Sequence, residues 1–206
     1  MFYLIKTPWL VKKYYSDCVW DIPSGEKDLY LSFDDGPHPV ATPFILEQLK
    51  KYQAKATFFC IGKNARQEQD LYKKILDEGH RVGNHTYNHL RGTKTSDIKY
   101  FEDIRMAARY IDSNLFRPPY GRISKFQIEL LKEKFHYKII MWDVISADFD
   151  RSLTGDKCAI NVIAHAKPGS IIIFHDSEKA WERLQIALPK VLEYFTSEGY
   201  KFKSID

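Results

Sequence analysis

Leu31-Ser32-Phe33-Asp34-Asp35-Gly36-Pro37 is an apolar run that stops at two adjacent carboxylates and then turns. The run that leads into it, residues 29–33, reads as a buried strand, and Gly36-Pro37 bends the backbone so that both acids stand at the strand's exit. Adjacent like charges resist joint ionisation unless a cation lies beside them, so the pair calls for a metal, an arginine or both. Taken alone, Asp-Asp-Gly at a strand end is more simply a helix cap. Residues further along the chain decide against that simpler reading.

Outward from this stretch, short runs of branched and aromatic residues recur at 56–61, 81–83, 137–141 and 170–174. Helical periodicity fills 42–52, 67–78, 96–114, 124–133, 159–166 and 181–198, with Gly79 and Gly199 placed to close two of these helices. Strands alternating with helices predict an α/β fold with a largely parallel sheet, whose chemistry collects at the carboxyl ends of the strands. No linker, repeat or low-complexity segment divides the 206 residues, so one domain is expected over 1–206. Residues 1–27 have weak periodicity and are expected to form an N-terminal arm packed on that domain.

The formal charge of +4, from 31 basic and 27 acidic residues, is small and dispersed, which argues against a nucleic-acid partner. Cys18, Cys60 and Cys158 are odd in number and widely spaced, so neither a disulfide framework nor a cysteine zinc site follows. The first twenty residues lack the apolar core and cleavage pattern of a secretory signal, from which a cytoplasmic location is expected. No apolar run reaches the roughly 20 residues needed to cross a bilayer, so no transmembrane segment is expected.

Four further motifs carry chemistry. Gly83-Asn84-His85-Thr86-Tyr87-Asn88-His89 holds two histidines four residues apart, a spacing that lets both face one cation from the same side of a helical turn. Two imidazoles with one carboxylate form the three-ligand set of a catalytic divalent metal that keeps a position open. In Arg117-Pro118-Pro119-Tyr120-Gly121 the prolines remove two amide donors and hold the N–H of Tyr120 in a fixed direction, as an oxyanion hole requires. Arg117 is suited to bracing an acid by a bidentate contact, with Asp34 the obvious partner. His175 ends the hydrophobic strand that leads into His175-Asp176, and an aspartate such as Asp148 would orient its imidazole and favour its charged form.

In this order the motifs resemble the polysaccharide deacetylases of carbohydrate esterase family 4, which share the NodB homology domain. The resemblance rests on residues 33–37, 55–59, 85–89, 117–121, Asp148 with its aromatic neighbour Phe149, and His175-Asp176. It implies a distorted (β/α) barrel of seven or eight strands and metal-dependent removal of acetyl groups from sugars containing N-acetylglucosamine. It further implies Asp35, His85 and His89 as ligands of one divalent metal, zinc first, with cobalt, nickel or manganese as alternatives. Asp34 would be the general base, Arg117 its brace, the Tyr120 amide the oxyanion donor, and His175 the general acid tuned by Asp148. Pro119, Tyr120, Phe149 and Ile173 would line the substrate pocket. The chain departs from the family's fourth motif, where Ile145 stands for an aspartate and Phe149 for a tryptophan. Three other readings compete: hydrolysis of a non-sugar amide, a catalytically silent carbohydrate-binding protein, and a purely structural metal site. The silent reading would require loss of the base or the ligands, and a structural metal would normally have four protein ligands.

Overall fold

The computed structural model describes residues 3–23 and 25–206. In chain order its first half contains α1 (Trp9–Tyr14), β1 (Asp28–Asp34), α2 (Ala41–Lys51), β2 (Ala56–Cys60), α3 (Gly62–Gln67), α4 (Gln69–Asp77), β3 (Arg81–Asn84) and α5 (Asp97–Ala107). Its second half contains β4 (Leu115–Phe116), α6 (Lys125–Glu133), β5 (Lys138–Ile139), β6 (Val144–Ile145), α7 (Gly155–Ile163), β7 (Ile171–His175), α8 (Trp181–Ser197) and β8 (Lys201–Phe202). The strands form one parallel sheet in the order β5-β4-β3-β2-β1-β7-β6, with β8 added to the start of β1. The seven-strand sheet curls into a distorted (β/α) barrel.

β1 is buried at every residue because β2 and β7 flank it and helices cover it. Phe33 stacks on Phe58 at 5.0 Å and on Phe174 at 6.2 Å between ring centres, which ties the three central strands together. From α8, Leu184, Ala187, Leu188, Val191, Leu192 and Phe195 fall at helical spacing and are buried in the same core as Ile45, Leu46 and Leu49 of α2. Parallel register sets the strand ends level. Asp34 lies opposite Phe59 on one side and His175 on the other, and Asn84 lies opposite both Cys60 and Phe116.

β5 and β6 are the two ends of the strand order, and residues of the N-terminal segment pair near both. Val19 bridges Ile140 beside β5, Lys6 bridges Val144 of β6, and Asp21 bridges Ser170. The fully buried carboxylate of Asp143 fastens this segment, accepting from Lys6 Nζ, Lys12 Nζ and Ser170 Oγ at 2.6 Å each. Burial opposes its ionisation, but those donors outweigh burial and hold the carboxyl below its usual range.

Several boundaries differ from the sequence reading. The 67–78 helix is broken at Glu68, which joins α3 to α4. The 96–114 helix stops at Ala107, ahead of β4. β4, β6 and β8 are two residues each, too short to show any periodicity, and tertiary pairing alone makes them strands.

Candidate active site

Asp34 is the last residue of β1, and its Oδ1 accepts from Arg117 Nη1 at 2.6 Å. Arg117 follows β4 and is 0% exposed. Three more of its five donors are fixed as well: Nη1 to Ser32 Oγ at 2.8 Å, Nε to the Ile140 carbonyl at 3.1 Å, and Nη2 to the Met141 carbonyl at 2.9 Å. The guanidinium carbon lies 4.0 Å from the centre of the Phe59 ring. A buried arginine is tolerable only with this degree of satisfaction. Burial lowers its pKa and the Asp34 carboxylate offsets part of that effect.

Asp35 turns the other way. Its φ of 86° puts it in the left-handed region, and the carbonyl of Asp35 accepts from Asn64 Nδ2 at 2.7 Å. Its Oδ1 lies 3.2 Å from Nε2 of His89 and 3.7 Å from Nε2 of His85. The three ligand atoms all lie within 4.8 Å of one another. Oδ1 is buried and accepts no hydrogen bond, the condition of an atom that awaits a cation. His85 Nδ1 donates to the Arg117 carbonyl at 2.7 Å, so Nε2 presents its lone pair to the cluster. Burial pushes His85 down to about 4 and keeps it in the neutral form that a metal requires. Burial also opposes ionisation of Asp35, but the imidazoles of His89, His175 and His85 hold its carboxyl well below the usual range. The residues present therefore fit a divalent ion.

The two histidines do not share a helical turn, contrary to the expectation from their spacing. β3 ends at Asn84, no helix forms before Gly92, and Thr86 and His89 have φ of 62° and 55°. Asn84 builds this irregular turn: its amide donates to the Ile104 carbonyl and Tyr137 Oη, and its Oδ1 accepts from Thr86 N–H at 2.9 Å. Side-chain bonds replace a helix here, and left-handed backbone swings His89 back towards His85, with 5.1 Å between ring centres.

His175 ends β7. Its Nδ1 lies 2.7 Å from Asp148 Oδ1, and its backbone N–H donates to Asp148 Oδ2 at 2.8 Å. Burial lowers the imidazole pKa, but the fully buried Asp148 carboxylate more than reverses this, and the pKa is pushed up to about 9. Phe149 stands edge-on to His175 at 5.3 Å, and Ile173 points to the same side of β7 two residues earlier. Across the site, Pro118 and Pro119 are buried while Tyr120, at φ 61°, is 48% exposed. Its backbone N–H makes no hydrogen bond among the described residues. Gly121 also has φ 61°, and a Cβ there would come within 2.4 Å of Trp142, so the loop tolerates no side chain at that position.

The polysaccharide deacetylase family pattern matches residues 21–137. A peptidoglycan N-acetylglucosamine deacetylase of Bacillus cereus is 35% identical over 192 residues, covering 90% of each chain. The chain belongs to the polysaccharide deacetylase family. The peptidoglycan N-acetylmuramic acid deacetylase PdaA of Bacillus subtilis is another relative, 32% identical over 206 residues that cover 96% of this chain and 76% of its own. Among solved structures, the Bc1960 peptidoglycan N-acetylglucosamine deacetylase superposes with a TM-score of 0.86 at 31% identity, covering 96% of this chain and 94% of that one. A family pseudoenzyme from Bacillus anthracis superposes at 0.77 with 26% identity, covering 90% and 66%. Polysaccharide deacetylase architecture thus persists without activity, and the argument for chemistry rests on the side chains.

Asp176 is a residue to which sequence reading gives no role in this polysaccharide deacetylase site. It accepts from Gly36 N–H at 2.9 Å and Thr42 Oγ1 at 2.7 Å, and a Cβ on Gly36 would fall 1.8 Å from its Oδ2. Asp176 therefore fixes the turn that follows the carboxylate pair, and that turn requires glycine. Burial pushes its pKa up to about 8. Its adjacency to His175 was the available signal; that it reaches back to β1 comes only from the β1–β7 register. Ile145 is buried in β6, hydrogen-bonded through its N–H to the Ile5 carbonyl.

Proposed function

We propose that the chain is a metal-dependent hydrolase that removes acetyl groups from N-acetylated sugars of the peptidoglycan or chitin type. The observation that carries this reading is the division of labour in one carboxylate pair. Asp34 is neutralised by a buried arginine, whereas Asp35 turns an unsatisfied oxygen towards two imidazoles. Asp35, His85 and His89 would hold one divalent ion, zinc first, with cobalt, nickel or manganese as alternatives. Such an ion supplies Lewis-acid polarisation of the acetyl carbonyl and acidifies a water near neutral pH.

Asp34, steadied by Arg117, takes the proton from the attacking water. Tyr120 N–H, free of other acceptors, donates to the carbonyl oxygen as negative charge collects there, a contact worth about 3 kcal/mol where such donors have been removed. His175, charged through its pairing with Asp148, gives its Nε2 proton to the sugar nitrogen as the carbon–nitrogen bond breaks. Acetate and the free amine result. Phe149 and Ile173 would wall the acetyl methyl group, and Pro119 would hold Tyr120 against the sugar.

The test is acetate release from N-acetylglucosamine oligomers, peptidoglycan, acetylated xylan and small amides, with each ion restored separately to chelated protein. Activity confined to non-sugar amides, or to none of these, would overturn the reading.

A further inference from the structure

Arg91 is a cation at the rim of the site that the chemistry above leaves idle. Among the described residues its guanidinium forms no ion pair or hydrogen bond; its carbon lies 4.6 Å from the centre of the Tyr120 ring. That ring packs in turn on His89, at 4.6 Å between centres. One aromatic ring therefore separates a free guanidinium from a candidate metal ligand. Two acids in the flanking segment are already engaged. Asp103 accepts from the N–H groups of Tyr87 and Asn88 and from the Asn88 amide, and Asp97 accepts from Gln127 Nε2. Arg91 is partly buried and its backbone is anchored, because its carbonyl accepts from Lys94 N–H and from Thr95 Oγ1. Gly92 is equally confined, since a Cβ there would lie 2.7 Å from Gln127 Oε1 and 3.0 Å from the Arg122 carbonyl.

A stacked guanidinium with unspent donors is preorganised to take a planar anion in two parallel hydrogen bonds. We propose that Arg91 is a specificity-determining residue that binds a carboxylate carried by the glycan beside the acetamido group being cleaved. This rests on the sugar-deacetylase reading. Two sources offer the same chemistry in such glycans: the lactyl ether of a muramic acid residue, and the acidic groups of an attached peptide.

Four substrates separate the outcomes: a neutral N-acetylglucosamine tetramer, a peptide-free glycan alternating N-acetylglucosamine with N-acetylmuramic acid, the same glycan with its lactyl carboxylates amidated, and a peptide-bearing glycan. Arg91→Gln is expected to raise KM about tenfold on the acidic peptide-free glycan, with at most a twofold change on the tetramer and the amidated glycan. Arg91→Lys is expected to lose less, because the charge remains while the fork is gone. A loss confined to the peptide-bearing glycan supports the same site with the peptide as its source. Calorimetric binding of the acidic glycan to Asp34→Asn protein, with and without Arg91→Gln, reads the same contact without turnover. Equal losses on neutral and acidic substrates would show that Arg91 only braces Tyr120 and would overturn the proposal, as would no loss on any. Wild-type protein that releases acetate from none of the four fails the deacetylase reading itself.

Discussion

His85 and His175 stand at the carboxyl ends of the barrel on opposite flanks of β1, and burial acts on both in the same direction. Their outcomes diverge. His85 donates an Nδ1–H hydrogen bond to a backbone carbonyl and burial pushes it down to about 4, whereas His175 faces a buried carboxylate and is pushed up to about 9. The partner of the nitrogen that points away from the site decides the role. A neutral carbonyl partner leaves a base fit for a cation; a carboxylate partner leaves an acid with a proton to give. In the proposed function the site thus has a ligand side, built on β1 and β3, and a donor side, built on the β6–β7 region.

Removing a ligand breaks the first side outright. His89→Ala is expected to lose bound metal, falling from about one ion per chain to nearly none by elemental analysis. Acetate release should fall by roughly a thousandfold or more, since Lewis-acid catalysis contributes several kcal/mol. Loss of activity with full metal content would remove His89 from the ligand set. Removing the acid should break only the second side. His175→Ala is expected to lower kcat/KM about 10²- to 10⁴-fold with metal content unchanged. Metal loss in that variant would show the two sides to be one.

Asp148→Asn sharpens the comparison without deleting either imidazole. In the proposed mechanism the reactive form of His175 is protonated, so that part of the rate should persist below a pH of about 9 and be lost as pH rises through it. Without that carboxylate, burial is opposed only by the weaker pull of Asp35 and Asp34, and the His175 pKa falls. The basic limb of the kcat/KM profile should therefore move to lower pH, with a loss of rate at pH 7. The same pairing contributes to stability fully below about pH 6.5, and that contribution fades as pH approaches 9. An unmoved basic limb in Asp148→Asn would detach His175 from the proton transfer.

The ligand side was more legible in the sequence than the donor side. Asp34-Asp35 announces itself because two charges cannot end a buried strand without cations, and the His85–His89 pair repeats that signal within one motif. Strand alternation gave the parallel α/β sheet, because each strand of five residues or so carries its own apolar run, whereas the barrel was implied by the family resemblance. What escaped is tertiary. The turn that brings His89 to His85 depends on Asn84 bonding to α5 and to Tyr137, and its left-handed residues are not glycines. Asp176 supports the carboxylate turn from across the β1–β7 register, a contact 140 residues apart in sequence. The two-residue strand β6 on the donor side exists only through its neighbours.

The donor side is also where residues outside the strand–helix repeats reach the site, and this gives the smallest effect. Tyr3 donates to Asp150 Oδ2 at 2.5 Å and sets its ring edge-on to Phe149 at 5.2 Å, while Phe149 meets His175 at 5.3 Å. Lys179 Nζ lies over the same Phe149 ring at 5.4 Å. An edge-to-face pair contributes about 0.5–1.5 kcal/mol beyond its buried area, enough to fix one ring orientation but not to hold the domain together. Tyr3→Ala should therefore raise KM on acetylated sugars by a few-fold, leave metal content untouched, and lower Tm by a few degrees at most. Tyr3→Phe keeps the ring pair and loses only the Asp150 bond, so it should recover most of the KM. If both variants raise KM equally, the hydroxyl and not the ring sets the wall. If Tyr3→Ala instead costs metal, the N-terminal segment supports both sides of the site, and the separation drawn from His85 and His175 fails at its edge.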